Sequence, residues 1–195
     1  WTKEIVRIDL GVIGPESLAA DTQKKWHGVE PAGWGNQLKT EPGLILRWER
    51  SWLFRTASRD SGWGLQWIPR AAANLGNVLT DFRAGFTTRV GLRIPDEFSA
   101  RTKEDESNSK TDSAGIYLSF GAEGRGVVRN IFLDGSTFHE SHRVARHPFN
   151  AAFPIGLTLA ARHFELSATH TFLTHAFYSQ ITDDSFSCAS LLLKF

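Results

Sequence analysis

At 195 residues the chain is long enough for one domain with a substantial core and too short for two comfortable ones. Its 22 Lys and Arg against 21 Asp and Glu leave a formal charge of +1, without the basic excess that marks a nucleic-acid partner. The single cysteine, Cys188, excludes an internal disulfide, and no 18-residue apolar run exists to make a membrane-spanning helix, a test that β-barrel strands escape because they are only half apolar.

Period-two alternation dominates, in segments of roughly ten residues. The first predicted strand, 1–11, sets Val6, Ile8 and Leu10 against Arg7 and Asp9. Gly11, Gly14 and Pro15 read as the turn out of it. Glu16 to Trp26 then offers good helix formers after a proline, so a helix is predicted inside the long loop 12–37, with Gln23 and His27 four apart on one face. The second strand, 38–56, carries Leu44, Leu46, Trp48, Trp52 and Phe54 on one side, interrupted only by Arg50, and Ile45, Arg47, Glu49, Ser51, Leu53 and Arg55 on the other. A short turn, 58–62, leads to strand 63–74 with Trp63 and Trp67 near its start. In strand 82–94, Phe82, Ala84, Phe86, Thr88, Val90, Leu92 and Ile94 oppose Arg83, Arg89 and Arg93. The stretch 95–113 has almost no apolar content. Strand 114–133, a polar loop 134–152, strands 153–162 and 164–177, and a last strand 185–195 with Leu191, Leu193 and Phe195 on one face complete the series of eight. Asn74, Asn77, Asn130 and Asp134 stand at strand ends, where they can cap or ligate.

Alternation suits either a soluble β-sandwich with a Trp-rich core or a membrane barrel with its oily face outward. Indole-rich strand ends that resemble an interfacial girdle, arginines in mid-strand and the terminal aromatic favour the barrel. The fold expected is therefore all-β, an antiparallel up-and-down transmembrane barrel in a single domain over 1–195. If the last strand runs toward the periplasm, strand parity puts the 12–37 loop outside the cell and 95–113 inside, where turns are usually short.

Asp9, at the mouth of the first strand, and His27, on the loop helix, are candidates for a general base and its orienter. The plainer alternatives are an ordinary loop histidine, an Asp9 paired with a lumen arginine, and a solvated Gln23. His139, His142 and His147 have irregular spacing for a metal site and read as a solvated loop, while lumen or rim positions suffice for His163, His170 and His175.

"DLGVIGPES", then "GWGNQL", "LGNVLTDFRAGFTTRVG", "RNIFLDGSTF" and "HTFLTHAF" together resemble the lipid A 3′-O-deacylase family, outer-membrane barrels of Gram-negative bacteria, from about residue 7 to residue 195. The resemblance implies a twelve-stranded barrel with its active site at the outer rim, between the wall and a loop helix. There a calcium cofactor would help remove the 3′-linked acyloxyacyl chain of lipid A, the lipid of lipopolysaccharide. It implies that His27 activates the attacking water, with Glu30 as the nearest match to the family's acidic residue and Asp9, Gln23 and Gly14 in support. Eight strands instead of twelve imply that the N-terminal strands bearing the calcium ligands have no counterpart here; eight could close alone, but around a narrower lumen. A non-catalytic outer-membrane barrel serving adhesion, transport or envelope integrity is the alternative function, and a soluble sandwich module the third.

Overall fold

The computed structural model describes residues 1–27, 36–57, 62–95 and 114–193. Expectations for Glu30, the "GWG" of "GWGNQL", most of the 58–62 turn, the stretch 96–113 and the terminal Phe195 lie outside those residues. In chain order the elements are β1 (Thr2–Ile13), a 3-10 turn (Pro15–Ser17), α1 (Ala19–His27), β2 (Glu41–Trp52), β3 (Phe54–Ala57), β4 (Trp63–Gly76), β5 (Leu79–Leu92), β6 (Gly115–Asn130), α2 (Ile131–Asp134), β7 (Phe149–Ala160), β8 (Phe164–Leu173) and β9 (Asp184–Leu193).

Neighbours in space follow neighbours in sequence. One antiparallel sheet runs β1-β2-β4-β5-β6-β7-β8-β9, with β3 also on β4, as an eight-stave half-barrel. Among the described residues β1 and β9 do not pair, so the sheet is open, not closed on itself. The predicted strand 38–56 is one stave broken at Leu53, whose side chain turns inward and is buried while its N–H donates to the Trp1 carbonyl at 2.8 Å. Other boundaries move by up to four residues, three of them with consequences for the rim. Residues 131–134 form a helical turn instead of extending the fifth stave, β7 begins at Phe149 inside the expected loop 134–152, and β8 stops at Leu173.

Alternation sorts the side chains cleanly. The outward face carries Leu46, Phe82, Leu118, Ile155, Leu157 and Leu166, all exposed, and among the described residues no second sheet covers it. This excludes the sandwich, in which that face would be the core, and fits a sheet whose solvent on that side is lipid. The rim at the start of β1 and β4 is the indole-rich one: Trp1, Trp52, Phe54, Trp63 and Trp67 cluster there, with the Phe54 and Trp67 rings 5.5 Å apart.

The concave face is polar and internally paired. Asp9 on β1 is bridged to Arg47 on β2, which reaches Asn74 on β4 at 3.5 Å; Asn74 donates to the buried Asp81 on β5 at 2.7 Å, and Asp81 is bridged to Arg125 on β6. A second branch joins Arg70 to Glu123 at 2.7 Å and Arg83 to both Asp81 and Glu123 at 3.8 and 3.9 Å. Arg47, Arg70, Arg83 and Arg125 are tolerated on this face because acids on the same or nearby strands pair with them, while Arg89 lies over the Tyr117 ring.

His170 is the exception to the expected sorting. It belongs with Leu166, Ala168 and Phe172 on the outward face, not in the lumen or at a rim, because Ile155 and Ser187 are its register partners. Its Nδ1 meets the Ser187 hydroxyl at 2.9 Å and its ring stands edge-on to Phe172.

Candidate functional site at the loop-bearing rim

The rim opposite the indoles carries α1 and the segment 131–148. Gly14 sets the exit from β1: it is buried at φ +95°, and a Cβ there would lie 2.7 Å from the Lys39 carbonyl carbon and the Thr40 nitrogen. Only glycine allows the returning chain to back against this turn. The Gly14 carbonyl accepts the Ser17 N–H at 3.0 Å and the Ser17 hydroxyl at 2.7 Å, closing the 3-10 turn that Pro15 begins. Leu18, left-handed at φ 58°, then redirects the chain, so α1 starts at Ala19 and not at Glu16. Among the α1 residues whose burial is described, Ala20 and Gln23 are half-buried and lie three apart on one face, the others being exposed. His27 is the last residue of the helix, about 12 Å along its axis from Ala19 at the usual rise per residue.

The segment after β6 is braced in several places. Asn130 caps α2 by accepting the Phe132 N–H at 3.1 Å, and Asp134 receives the Asn130 N–H at 2.8 Å. Arg146 grips Asp134 from the far end of the segment at 2.9 Å and donates to the Val127 and Val128 carbonyls at 2.6 and 2.5 Å. A register shift in the β5–β6 ladder at Thr80 and Asp81 turns Arg129 onto the β4–β5 hairpin, where it donates to the Asn77 carbonyl, and it also holds the Gly135 carbonyl and the Thr137 hydroxyl. Asn77 in turn stitches the hairpin to β2, accepting the Leu44 N–H at 2.8 Å and donating to the Pro42 carbonyl at 2.7 Å.

The longest reach is made by Glu41. This first residue of β2 stands at the rim, before the outward apolar run that starts at Leu44, and is almost fully buried. Its carboxylate accepts the Thr137 N–H at 3.0 Å and the Phe138 N–H at 3.2 Å, so the loop is tied to β2 as well as to β6. Burial, the largest single influence, pushes this carboxyl up. The Thr137 and Phe138 donors, with His139 nearby, outweigh it and hold the group below the usual glutamate range.

Between the Gly14 turn and this braced loop lies a cavity of about 550 Å³. Its apolar wall is Val12, Ile13, Leu38, Phe132 and Val144; Ser17, Asn36 and Gln37 add neutral polar groups, and His142 and Arg143 overhang it. A second cavity of about 600 Å³ opens at the tops of β7, β8 and β9, between Phe149, Phe153 and Phe172 and the polar groups His147, His175, Asp183 and Asp184.

Of the residues expected from sequence, Gly14 lines the rim cavity, and Gln23 is half-buried on the adjoining helix without lining it. Asp9 does not stand at the strand mouth, because β1 continues to Ile13; it lies four residues down the stave and is held by Arg47. Sequence reasoning missed Glu41, Arg129 and Arg146, whose contacts span from 6 to 97 residues of chain and follow no strand or helix period. The calcium ion implied by the resemblance finds no fit among the described residues. It takes six to eight hard oxygens, carboxylates prominent among them, whereas no carboxylate lines the rim cavity and no three His, Cys, Asp or Glu gather anywhere described.

No curated protein matches the chain. A solved structure, LpxR from Salmonella typhimurium, is similar to it with a TM-score of 0.80 and 20% sequence identity, over 100% of this chain and 68% of that one. The likeness is that of the open eight-stave sheet to part of a barrel, and the family the motifs resembled is the one found. The family model described as "Outer membrane protein LpxR" matches residues 2–195, and the chain belongs to that outer-membrane family.

Proposed function

We infer that this chain serves in an outer-membrane lipid A deacylase, an ester hydrolase that removes the 3′-linked acyloxyacyl chain with a water activated by His27. The observation that carries the reading, beside family membership over 2–195, is the rim cavity: it has an apolar wall with polar and basic groups at its edge, lies at the end of the outward apolar face, and includes Ala19, the first residue of the helix that ends in His27. A neutral imidazole is suited to take a proton from water as it attacks the ester carbonyl, and to return it to the departing alcohol. Gln23, one helical turn earlier, is the residue proposed to support His27, and Glu30 is the acid proposed to assist it. Asp9 is scaffold in this reading, since Arg47 already holds its carboxylate. Gly14 keeps the cavity floor where the helix needs it. Calcium belongs to the proposal through the resemblance alone, with ligands from outside the described residues, and chelation of the full-length protein with EDTA followed by re-addition tests it.

The experiment is incubation of the full-length protein in detergent with lipid A, scored by mass spectrometry for loss of the 3′ acyl chain. His27→Ala is expected to lower turnover by about 10²- to 10⁴-fold, the range for removing a general base. Full activity in that variant would sink the mechanism.

A further inference from the structure

We propose that Arg143, assisted by His142, forms the subsite for a phosphate group on the head of the amphiphile bound in the rim cavity; the proposal rests on the deacylase reading above. The neighbouring arginines are committed: Arg129 to Asn77, Gly135 and Thr137, and Arg146 to Asp134 and two strand carbonyls. Arg143 makes no hydrogen bond or ion pair with any described residue, is exposed, and projects at the cavity edge beside His142. Among the described residues no carboxylate lines that cavity, so of the described groups an anion entering it meets two basic side chains. The guanidinium fork matches two phosphate oxygens, which an ammonium does not.

The basic pair is also held in place. Glu41 fixes residues 137 and 138, the Ser141 hydroxyl receives the Ser136 N–H at 2.8 Å, the Val144 N–H donates to the Leu133 carbonyl at 2.8 Å, and Arg146 closes the segment. Little ordering remains to be done when a ligand arrives. Below the pair, Val12 and Phe132 stay exposed and continue the apolar outward face. An amphiphile seated there has its chains against β1 and its charged head against Arg143.

The test uses the full-length protein in detergent micelles with lipid A and with the same lipid A after enzymatic dephosphorylation, comparing wild type, Arg143→Ala, Arg143→Lys and His142→Ala. Arg143→Ala is expected to raise KM for the phosphorylated lipid about 10- to 100-fold, as for loss of a charge-assisted bidentate contact, with kcat within about threefold and the dephosphorylated lipid unaffected. Arg143→Lys should fall between, and His142→Ala should cost less than about tenfold. Competition by inorganic phosphate in wild type but not in Arg143→Ala would assign the site to the phosphate ion itself. No competition, with discrimination between the two lipids intact, assigns it to lipid-borne phosphate. An unchanged KM and unchanged discrimination in Arg143→Ala would overturn the proposal. Should wild type hydrolyse neither lipid, the deacylase reading fails, and the subsite is read from binding to vesicles of phosphorylated or dephosphorylated lipid A: selective loss in Arg143→Ala supports it, and equal binding overturns it.

Discussion

The two cavities at the loop-bearing rim are alike in size, about 550 and 600 Å³, and unlike in almost everything else. The first is walled by a glycine turn without room for a Cβ and by a loop fastened to two strands. The second is walled by strand ends and by the exposed pair His175 and Asp183, 3.1 Å apart. Among the described residues the first has Arg143 and His142 and no carboxylate, whereas the second has His147 and His175 beside the carboxylates of Asp183 and Asp184. Residues 142–144 line one and His147 the other, so a single segment contributes to both, with the Arg146 brace between them. Volume therefore does not distinguish a prepared site from a surface groove; anchoring and charge do.

Breaking that distinction starts with Gly14. Gly14→Val places a side chain against the backbone of residues 38–40 at a positive φ, and is expected to lower kcat/KM on lipid A by about 100-fold or more while the barrel still folds, as judged by its heat-modifiable mobility on gels. Next in size is Arg146→Ala, which leaves Asp134 and two strand carbonyls without their partner. A loss of about 3 kcal/mol from the brace is expected, visible as hydrogen exchange accelerated across 135–148 and as changes at both cavities, since both borrow from the segment.

Glu41→Gln should loosen only the first cavity, by about 1–3 kcal/mol in the protection of the Thr137 and Phe138 amides. Its pH dependence has a definite sign. Because the folded carboxyl is held below the ordinary glutamate value of 4.5, its contribution is complete above that value and fades as pH falls through the lower folded one. Protection of these two amides should thus persist at pH 5 and fall on further acidification, and in Glu41→Gln it should be flat. The smallest effect belongs to the second cavity. Asp183→Asn removes an exposed partner of His175 and is expected to change stability by less than about 1 kcal/mol and lipid A turnover not at all. A large loss there would move the functional site to β7–β9.

Much of the sheet was legible because alternation is a local property. The residues from Phe82 to Leu92 declare their two faces without reference to any other strand, and the structure keeps them as read. The misreadings have physical causes. Leu53 continues the alternation, its N–H extends the β1 ladder to Trp1, and the register against β4 is the same on either side of it, so nothing in the pattern marks the interruption there. Ile131 to Leu133 are as apolar as a strand, but Asn130 and Asp134 at their flanks cap a helical turn. His170 looks polar enough for the lumen, and only the pairing of β7, β8 and β9 shows it facing outward. At the site, Gly14 announced itself through a Gly-Pro turn, whereas Glu41 and Arg143 gained their meaning from a loop that folds back from residue 138 to residue 41, a contact without trace in local spacing.

That fold-back has a consequence for what the cell surface presents. The segment from Gly135 to Pro148 hangs outside the sheet, where an extracellular protease would ordinarily find an easy substrate, yet a cleavage cleft needs several successive residues drawn out in extended form. Glu41 holds two consecutive amides, Arg129 a carbonyl and a hydroxyl, and Arg146 the far end, so the span left between these ties is 139–145, itself interrupted by the bonds of Ser141 to Ser136, Val144 to Leu133 and Ala145 to Tyr178. Intact cells should shed little of this loop to added trypsin until one of those three side chains is replaced.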